Sequence, residues 1–268
     1  MAENNQTIVL ITGANAGIGW ETVKALLQSE RSYHVLIGTR NLQKGQEALV
    51  SLKEVAFNTK STTELLQIDV SSDESISKGF DLVQATHGRV DVLLNNAGIA
   101  LDAELVFGDI TMREAWNKSY DVNVSGPNIL TQTFAPLLLK SFDPRLIFVS
   151  SGLASLGRMS EAHYPAPPPI PAGWPKKGAY LPSSYRSSKT ALNMAMLSWH
   201  WILKEDGVKV WCVEPGFLAT GLGGERAAQA RSSAGHPSSG GKLLVTVIEG
   251  NRDADVGRVL NRGGIQPF

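Results

Sequence analysis

Tyr185 and Lys189 stand four residues apart in the run Tyr185-Arg186-Ser187-Ser188-Lys189. On a helix this spacing stacks both side chains on one face. An ammonium beside a phenol favours the phenolate and draws the phenol's pKa down from about 10 toward operating pH. Such a phenol can give a proton to a carbonyl oxygen or take one from an alcohol. The pair is a weak signal alone, and its weight comes from the elements around it.

A chemistry of this kind needs a partner, and the chain opens with a place to hold one. Thr7–Ile11 reads as a short buried strand. It runs into Thr12-Gly13-Ala14-Asn15-Ala16-Gly17-Ile18-Gly19, and an amphipathic helix follows from Trp20 to Ser29. Glycines in a strand–turn–helix unit let a phosphate approach the backbone, and the helix amino end favours negative charge. The second strand, Tyr33–Gly38, ends at Thr39-Arg40. An acidic residue there would hold a ribose 2′-hydroxyl and repel a 2′-phosphate. Threonine followed by arginine favours the phosphate, so NADP(H) is expected over NAD(H); the plainer reading of Arg40 is a solvated loop residue.

Further strands alternate with helices. A helix over residues 41–55 precedes a strand at Leu65–Ile68, ending in Asp69-Val70. Asp69 is suited equally to accept from an adenine amino group or to start a turn. Ser72 or Asp73 caps the next helix, to about Thr86. Val90–Leu94 is a fourth strand, followed by Asn95-Asn96-Ala97-Gly98, whose small and amide residues suit close approach and bridging between strands. A helical segment from Asp109 carries Asn123, a poor helix former expected to disturb the backbone ladder and hold a water. Pro127 and Pro136 are expected to interrupt or bend it. Arg145–Val149 is a fifth strand, with Ser150-Ser151 at the carboxyl end where ligands bind in open α/β sheets. The helix bearing Tyr185 runs to about Asp206 and stops at Gly207. Val208–Val213 is a sixth strand, leading to Glu214-Pro215-Gly216. A helix over residues 242–249 and a last strand over 256–260 follow.

Two segments break the pattern. Residues 156–181 hold six of the thirteen prolines, with His163, Tyr164 and Trp174 among them. This stretch is expected to be an irregular lid. Residues 217–241 are rich in glycine, alanine and serine and are expected to form a substrate loop. His163 reads as a surface loop histidine, and Trp199 and Trp201 as packing or subunit contacts.

Composition excludes several classes. The 268 residues carry zero formal net charge, with no long single-sign run to suggest a nucleic-acid partner. Cys212, the lone cysteine, reads as a buried strand residue. One cysteine forms no internal disulfide, in keeping with a reducing compartment. The start Met-Ala-Glu-Asn-Asn-Gln is no signal peptide and no apolar run is long enough to span a membrane, so a cytoplasmic protein is expected. No metal ligands are assigned. Alternating strands and helices over residues 1–268 argue one doubly wound parallel sheet in one domain.

Thr12–Gly19, Asn95–Gly98, Asn123, Ser151, Tyr185 with Lys189, and Pro215-Gly216 occur in this order. Together they make the chain resemble the short-chain dehydrogenase/reductase family over nearly its full length. It is most similar to carbonyl-reductase-like members found in fungal metabolism, secondary metabolism included. The resemblance implies a Rossmann-type α/β fold, with seven parallel strands and helices on both faces. It implies that Gly13, Gly17, Ile18 and Gly19 seat the pyrophosphate, that Asn15 and Arg40 lie near the 2′-phosphate, and that Asp69 and Val70 flank adenine. Asn96, Ala97 and Gly98 would line the adenosine-ribose side, and Thr220, after Pro215 and Gly216, would reach the nicotinamide amide. Tyr185 would be the proton donor, and Lys189 would hold the nicotinamide ribose. Ser151 would bond the substrate oxygen, and Asn123 would hold a water leading from Lys189. The implied activity is NADPH-dependent reduction of a ketone, aldehyde or quinone. The alternatives are an NADP-dependent alcohol dehydrogenase, a non-redox enzyme of the same fold, and a cofactor-binding regulator. One departure stands out: Ser151 and Tyr185 are 34 residues apart, against about a dozen in most members. The insertion leaves monomer or homodimer open.

Overall fold

The computed structural model describes residues 6–55, 59–162, 170–174, 176, 182–224 and 233–268. His163, Tyr164, Pro175 and residues 225–232 lie outside these, as do the prolines at 165 and 167–169.

The strands are β1 (Thr7–Thr12), β2 (Tyr33–Thr39), β3 (Thr62–Gln67), β4 (Val92–Asn95), β5 (Arg145–Val149), β6 (Lys209–Val213), β7 (Val259–Asn261) and β8 (Gly264–Gln266). They form one sheet in the order β3-β2-β1-β4-β5-β6-β7-β8. The first seven pair in parallel, as expected, and β8 returns antiparallel to β7. The sequence reading ran one strand over 256–260. The structure instead turns at Arg262-Gly263, and Gly264 lies at φ 133°, so a hairpin closes the edge.

The central strands are apolar on both faces because helices cover both. On one face Leu10, Leu93, Leu146 and Cys212 pack against α3 (Asp73–Thr86), α6 (Gly126–Leu138) and α8 (Ser183–Ile202). On the other, Val9, Ile11, Ile147 and Trp211 pack against α1 (Gly17–Leu27), α2 (Leu42–Val55) and a helix at Ser238–Ile248. Cys212 is fully buried and burial pushes its thiol pKa up, as suits a core residue. The order in which strands are added reverses between β1 and β4, the switch point where such sheets bind ligands.

Several boundaries differ from the sequence reading. A short helix, α4 (Asp102–Phe107), precedes α5 (Met112–Tyr120), which starts at a Thr111/Glu114 capping box rather than at Asp109. Pro127 falls in the first turn of α6, where its missing N–H costs nothing. Pro136 lies within the same helix, which continues to Leu138, so neither proline interrupts it. The proline stretch is not irregular throughout: Leu156–Glu161 forms α7, with the Ser155 hydroxyl accepting from the Arg158 N–H. Helix α8 stops at Ile202, four residues before the expected end. The helix that follows β6, α9, starts at Ser238, inside the expected loop. Trp199 donates its indole N–H to Asn128 on α6, a packing role, whereas Trp201 is exposed.

Candidate active site

The residues singled out by sequence gather at the carboxyl ends of β1, β2, β4, β5 and β6. Gly13 and Gly17 have φ of 63° and 56°, a region a side chain disfavours. A Cβ on Gly19 would lie 2.6 Å from Asn96 Nδ2 and 2.7 Å from the Gly13 carbonyl. Asn96 is what closes the turn. Its amide donates to the carbonyls of Thr12 (2.8 Å) and Gly13 (3.2 Å), while its N–H and that of Ala97 both donate to Thr12 Oγ1 at 3.0 Å. Asn96 and Ala97 therefore brace the glycine turn from β4.

Helix α1 begins without a side-chain cap. Ala16 offers no acceptor, and the first turn has no acidic residue. By contrast α3 is capped by Ser72 and carries Asp73 and Glu74 in its first turn. The amino end of α1 thus has no side-chain acceptor or acidic residue of its own in its first turn. Thr220 comes to this turn from beyond β6: a Cβ on Gly17 would meet its Cγ2 at 3.5 Å. Ile18 and Pro215 both abut Gly240 at the start of α9.

At the tip of β2, Thr39 donates to Asn15 Oδ1 (3.3 Å), and the next residue, Arg40, is exposed. Asn15 and Arg40 so flank one corner of the crevice. Asp69, left open between two roles, forms a turn: its Oδ1 accepts from the Ser71 N–H (3.0 Å) and hydroxyl (2.7 Å). Val70 beside it is buried against Gly126.

The chemical end lies between α8 and the π-helical turn Asp121–Ser125. Asn123 does disturb the ladder, and a π-turn is a frequent mark of a functional site. Its amide is engaged with Ile99, accepting from the N–H (2.8 Å) and donating to the carbonyl (2.9 Å), and it also donates to Ser188 on α8 (2.9 Å). Lys189 is 3% exposed, and its Nζ donates to the Val149 carbonyl at 2.8 Å and lies 6.0 Å from the Tyr185 ring centre. Burial pulls its pKa from 10.5 to about 8. Gly98 stands where a side chain would press on both Asn123 Oδ1 (3.1 Å) and Lys189 Nζ (3.3 Å).

Two residues beyond Val149, the serine pair divides. Ser150 is buried and donates to Asn193 on α8 (2.6 Å), whereas Ser151 is half-buried and its hydroxyl accepts from the Leu153 N–H (3.2 Å). Of the two, Ser151 is the one that is not fully buried.

Three positioning residues escaped the sequence reading. Asp102 on α4 is 1% exposed and caps α8 from outside. Its carboxylate accepts from the Ser184 N–H and hydroxyl, both at 2.9 Å, and from the Tyr185 N–H at 3.1 Å. Glu214 accepts from the Gly216 N–H (2.7 Å) and lies against Gly152, joining the turns after β5 and β6. Burial raises its pKa despite those N–H donors and the nearby Arg158 guanidinium. Gln266 on β8 donates to the Ser151 carbonyl (3.3 Å). No local signal marks Asp102, because its partners lie more than 80 residues away.

The short chain dehydrogenase family model matches residues 7–167. The short-chain dehydrogenase/reductase tropE of Talaromyces stipitatus is 51% identical over 100% of both chains. The short-chain dehydrogenase/reductase eupG of a Phoma species is 43% identical over 97% of each. This chain belongs to the short-chain dehydrogenase/reductase family. It is an oxidoreductase of that family, of fungal type. Among solved structures of the family, NADPH-bound carbonyl reductase from chicken fatty liver superposes with a TM-score of 0.76. It is 25% identical, over 98% of this chain and 99% of that one. Carbonyl reductase Sniffer of Drosophila melanogaster gives 0.74 at 26% identity, over 98% and 100%.

Proposed function

We propose that this protein is an NADPH-dependent reductase of a ketone, aldehyde or quinone carbonyl, with Tyr185 as proton donor. The observation that carries the reading is the buried Lys189, held on the Val149 carbonyl with its ammonium over the face of α8 that bears Tyr185. The crevice fits a dinucleotide: glycines keep the first turn clear and the amino end of α1 has no cap of its own. Gly13, Gly17, Ile18 and Gly19 seat the pyrophosphate, with Asp69 and Val70 toward adenine and Asn96, Ala97 and Gly98 along the ribose side. Pro215, Gly216 and Thr220 close the nicotinamide end.

Arg40 and Asn15 support the phosphorylated cofactor, since the position after β2 has no carboxylate to repel a 2′-phosphate. The chicken carbonyl reductase of the same fold is NADPH-bound. The bound cofactor supplies a hydride to the carbonyl carbon. Ser151 orients the carbonyl oxygen with its hydroxyl, and Tyr185 gives that oxygen a proton as charge develops on it. Lys189 holds the ribose and, as an ammonium, favours the phenolate that remains. Asn123 keeps the π-turn open beside Lys189, where a water can relay protons. The inserted segment between α7 and α8 and the stretch between β6 and α9 take the roles of lid and substrate loop in this reading; among the described residues, Trp174 and Phe217 present exposed aromatic surface there. The protein acts in the cytoplasm on a small molecule, as monomer or homodimer.

The test is NADPH oxidation across a panel of ketones, aldehydes and quinones, with wild type and Tyr185→Phe side by side. Wild type should turn over a subset. The variant should lose at least about a hundredfold in kcat while binding NADPH as before. A variant that stays active removes Tyr185 as donor. A wild type that oxidises only NADH removes the cofactor assignment.

A further inference from the structure

At the other end of the sheet, away from the cofactor crevice, three potential ligand atoms converge. His34 lies on β2, Glu64 on the edge strand β3 and His87 at the carboxyl end of α3. One carboxylate oxygen, Glu64 Oε2, lies 3.3 Å from His34 Nε2 and 3.1 Å from His87 Nε2. The three atoms fall within 4.8 Å of one another. Pairing of β2 with β3 brings this about: Thr62 is opposite His34 and Glu64 opposite Leu36, so the three side chains project from one face.

The hydrogen bonds around His34 fix its tautomer. The Gln6 amide nitrogen faces the carbonyls of Tyr33 (3.1 Å) and Lys60 (3.0 Å), so its oxygen must be the atom that accepts from Thr62 (3.1 Å). With its one proton given to Gln6, the Thr62 hydroxyl accepts from His34 Nδ1 at 2.7 Å. His34 then turns Nε2 toward the same carboxylate oxygen that His87 Nε2 faces. The two rings lie side by side with centres 4.7 Å apart. One divalent ion satisfies all three atoms.

We propose that His34, Glu64 and His87 bind a divalent transition-metal ion, with Zn2+ the best match to two imidazoles and a carboxylate. The two short separations are close to the ligand–ligand edge of about 3.3 Å that bonds of about 2.0–2.1 Å give in a tetrahedron. The Thr62 hydroxyl on His34 Nδ1 is the outer partner that metal-bound histidines usually have. Both rings border a cavity of about 550 Å³, lined also by Gln6, Tyr33, Arg89 and Asp91. The cavity opens beside the two rings. The ion would fasten β3, the least buried of the parallel strands, to β2 and to the end of α3. It is a structural tie, remote from the chemistry.

The experiment uses the whole protein, stripped with a chelator, dialysed, and titrated with Zn2+ alone against a fluorescent zinc indicator. One ion per chain should bind, with a rise in the unfolding temperature. His34→Gln and His87→Gln should each weaken binding at least about a hundredfold, and Thr62→Val about tenfold. NADPH oxidation by the variants should match wild type. Substitution with Co2+ should give the absorption bands of a tetrahedral ion, lost in both histidine variants. Should His34→Gln unfold, His87→Gln at the half-exposed helix end carries the test. No saturable Zn2+ binding by wild type, or wild-type affinity in His87→Gln, overturns the proposal.

Discussion

The Asp102 carboxylate closes over the amino end of α8, taking both the N–H and the hydroxyl of Ser184 at 2.9 Å. The helix that carries Tyr185 and Lys189 has no side-chain cap of its own, because its cap residue is Pro182. A short helix between β4 and α5 supplies one instead. Asp102→Ala should leave buried donors unmatched and cost about 2–3 kcal/mol of stability. The first turn of α8 would loosen, and kcat should fall roughly ten- to a hundredfold through misplacement of Tyr185. NADPH affinity should hold, and Asp102→Asn should recover part of both losses. Urea unfolding and steady-state kinetics read the two effects separately.

The proposed role of Arg40 is in cofactor choice. Loss of a charge-assisted contact to phosphate is worth about 1.5–3 kcal/mol, or roughly ten- to a hundredfold in affinity. Arg40→Ala should weaken NADPH by that factor and leave NADH nearly unchanged, as measured by fluorescence titration with each cofactor. Equal losses for both would contradict a phosphate contact.

Lys189 makes stability depend on alkaline pH. Its pKa is about 8 when folded, against 10.5 in the ordinary state. Below about 8 both states hold the proton and the folded state bears the full cost of a buried ammonium. Between 8 and 10.5 the unfolded chain binds more protons than the folded one, so stability rises with pH. The whole effect is about 3 kcal/mol. Lys189→Met should therefore be more stable than wild type at neutral pH, and the gap should narrow by roughly 2 kcal/mol by about pH 9.5. Denaturant titrations of the two proteins at both pH values measure it.

Gly19 tests the seat of the pyrophosphate. Its missing Cβ would press on Asn96 Nδ2 and the Gly13 carbonyl at under 3 Å. Gly19→Ala should shift the turn at a cost of about 1–3 kcal/mol and abolish measurable NADPH binding. Calorimetric titration that found wild-type affinity would mean that Asn96 yields without moving the turn.

Much of this was legible in the sequence because local chemistry dictates it. Glycines at 13, 17 and 19 sit where the backbone must turn and stay bare. Continuous apolar runs marked the buried strands, and Asn123 betrayed a break in the helix that became a π-turn. What stayed hidden depends on contacts between distant segments. Asp102 gains its meaning from Ser184, Glu214 from Gly152, and His34 from Glu64 and His87. Strand β8 was missed because three residues after a tight turn are too few to show an alternation of apolar and polar positions. At Asp69 the turn is made with Ser71, a neighbour that both readings of the sequence accommodated.

The eighth strand does more than finish the sheet. Gln266 holds the Ser151 carbonyl, and the Phe268 carbonyl accepts from the Gly157 N–H at 2.7 Å. Residues 264–268 therefore splint both flanks of the serine turn and the first helix of the inserted segment. The proposed orientation of a substrate oxygen by Ser151 would in this sense depend on residues 264–268. An engineer reshaping the pocket for a bulkier carbonyl would find in this tail a control that alters no catalytic side chain.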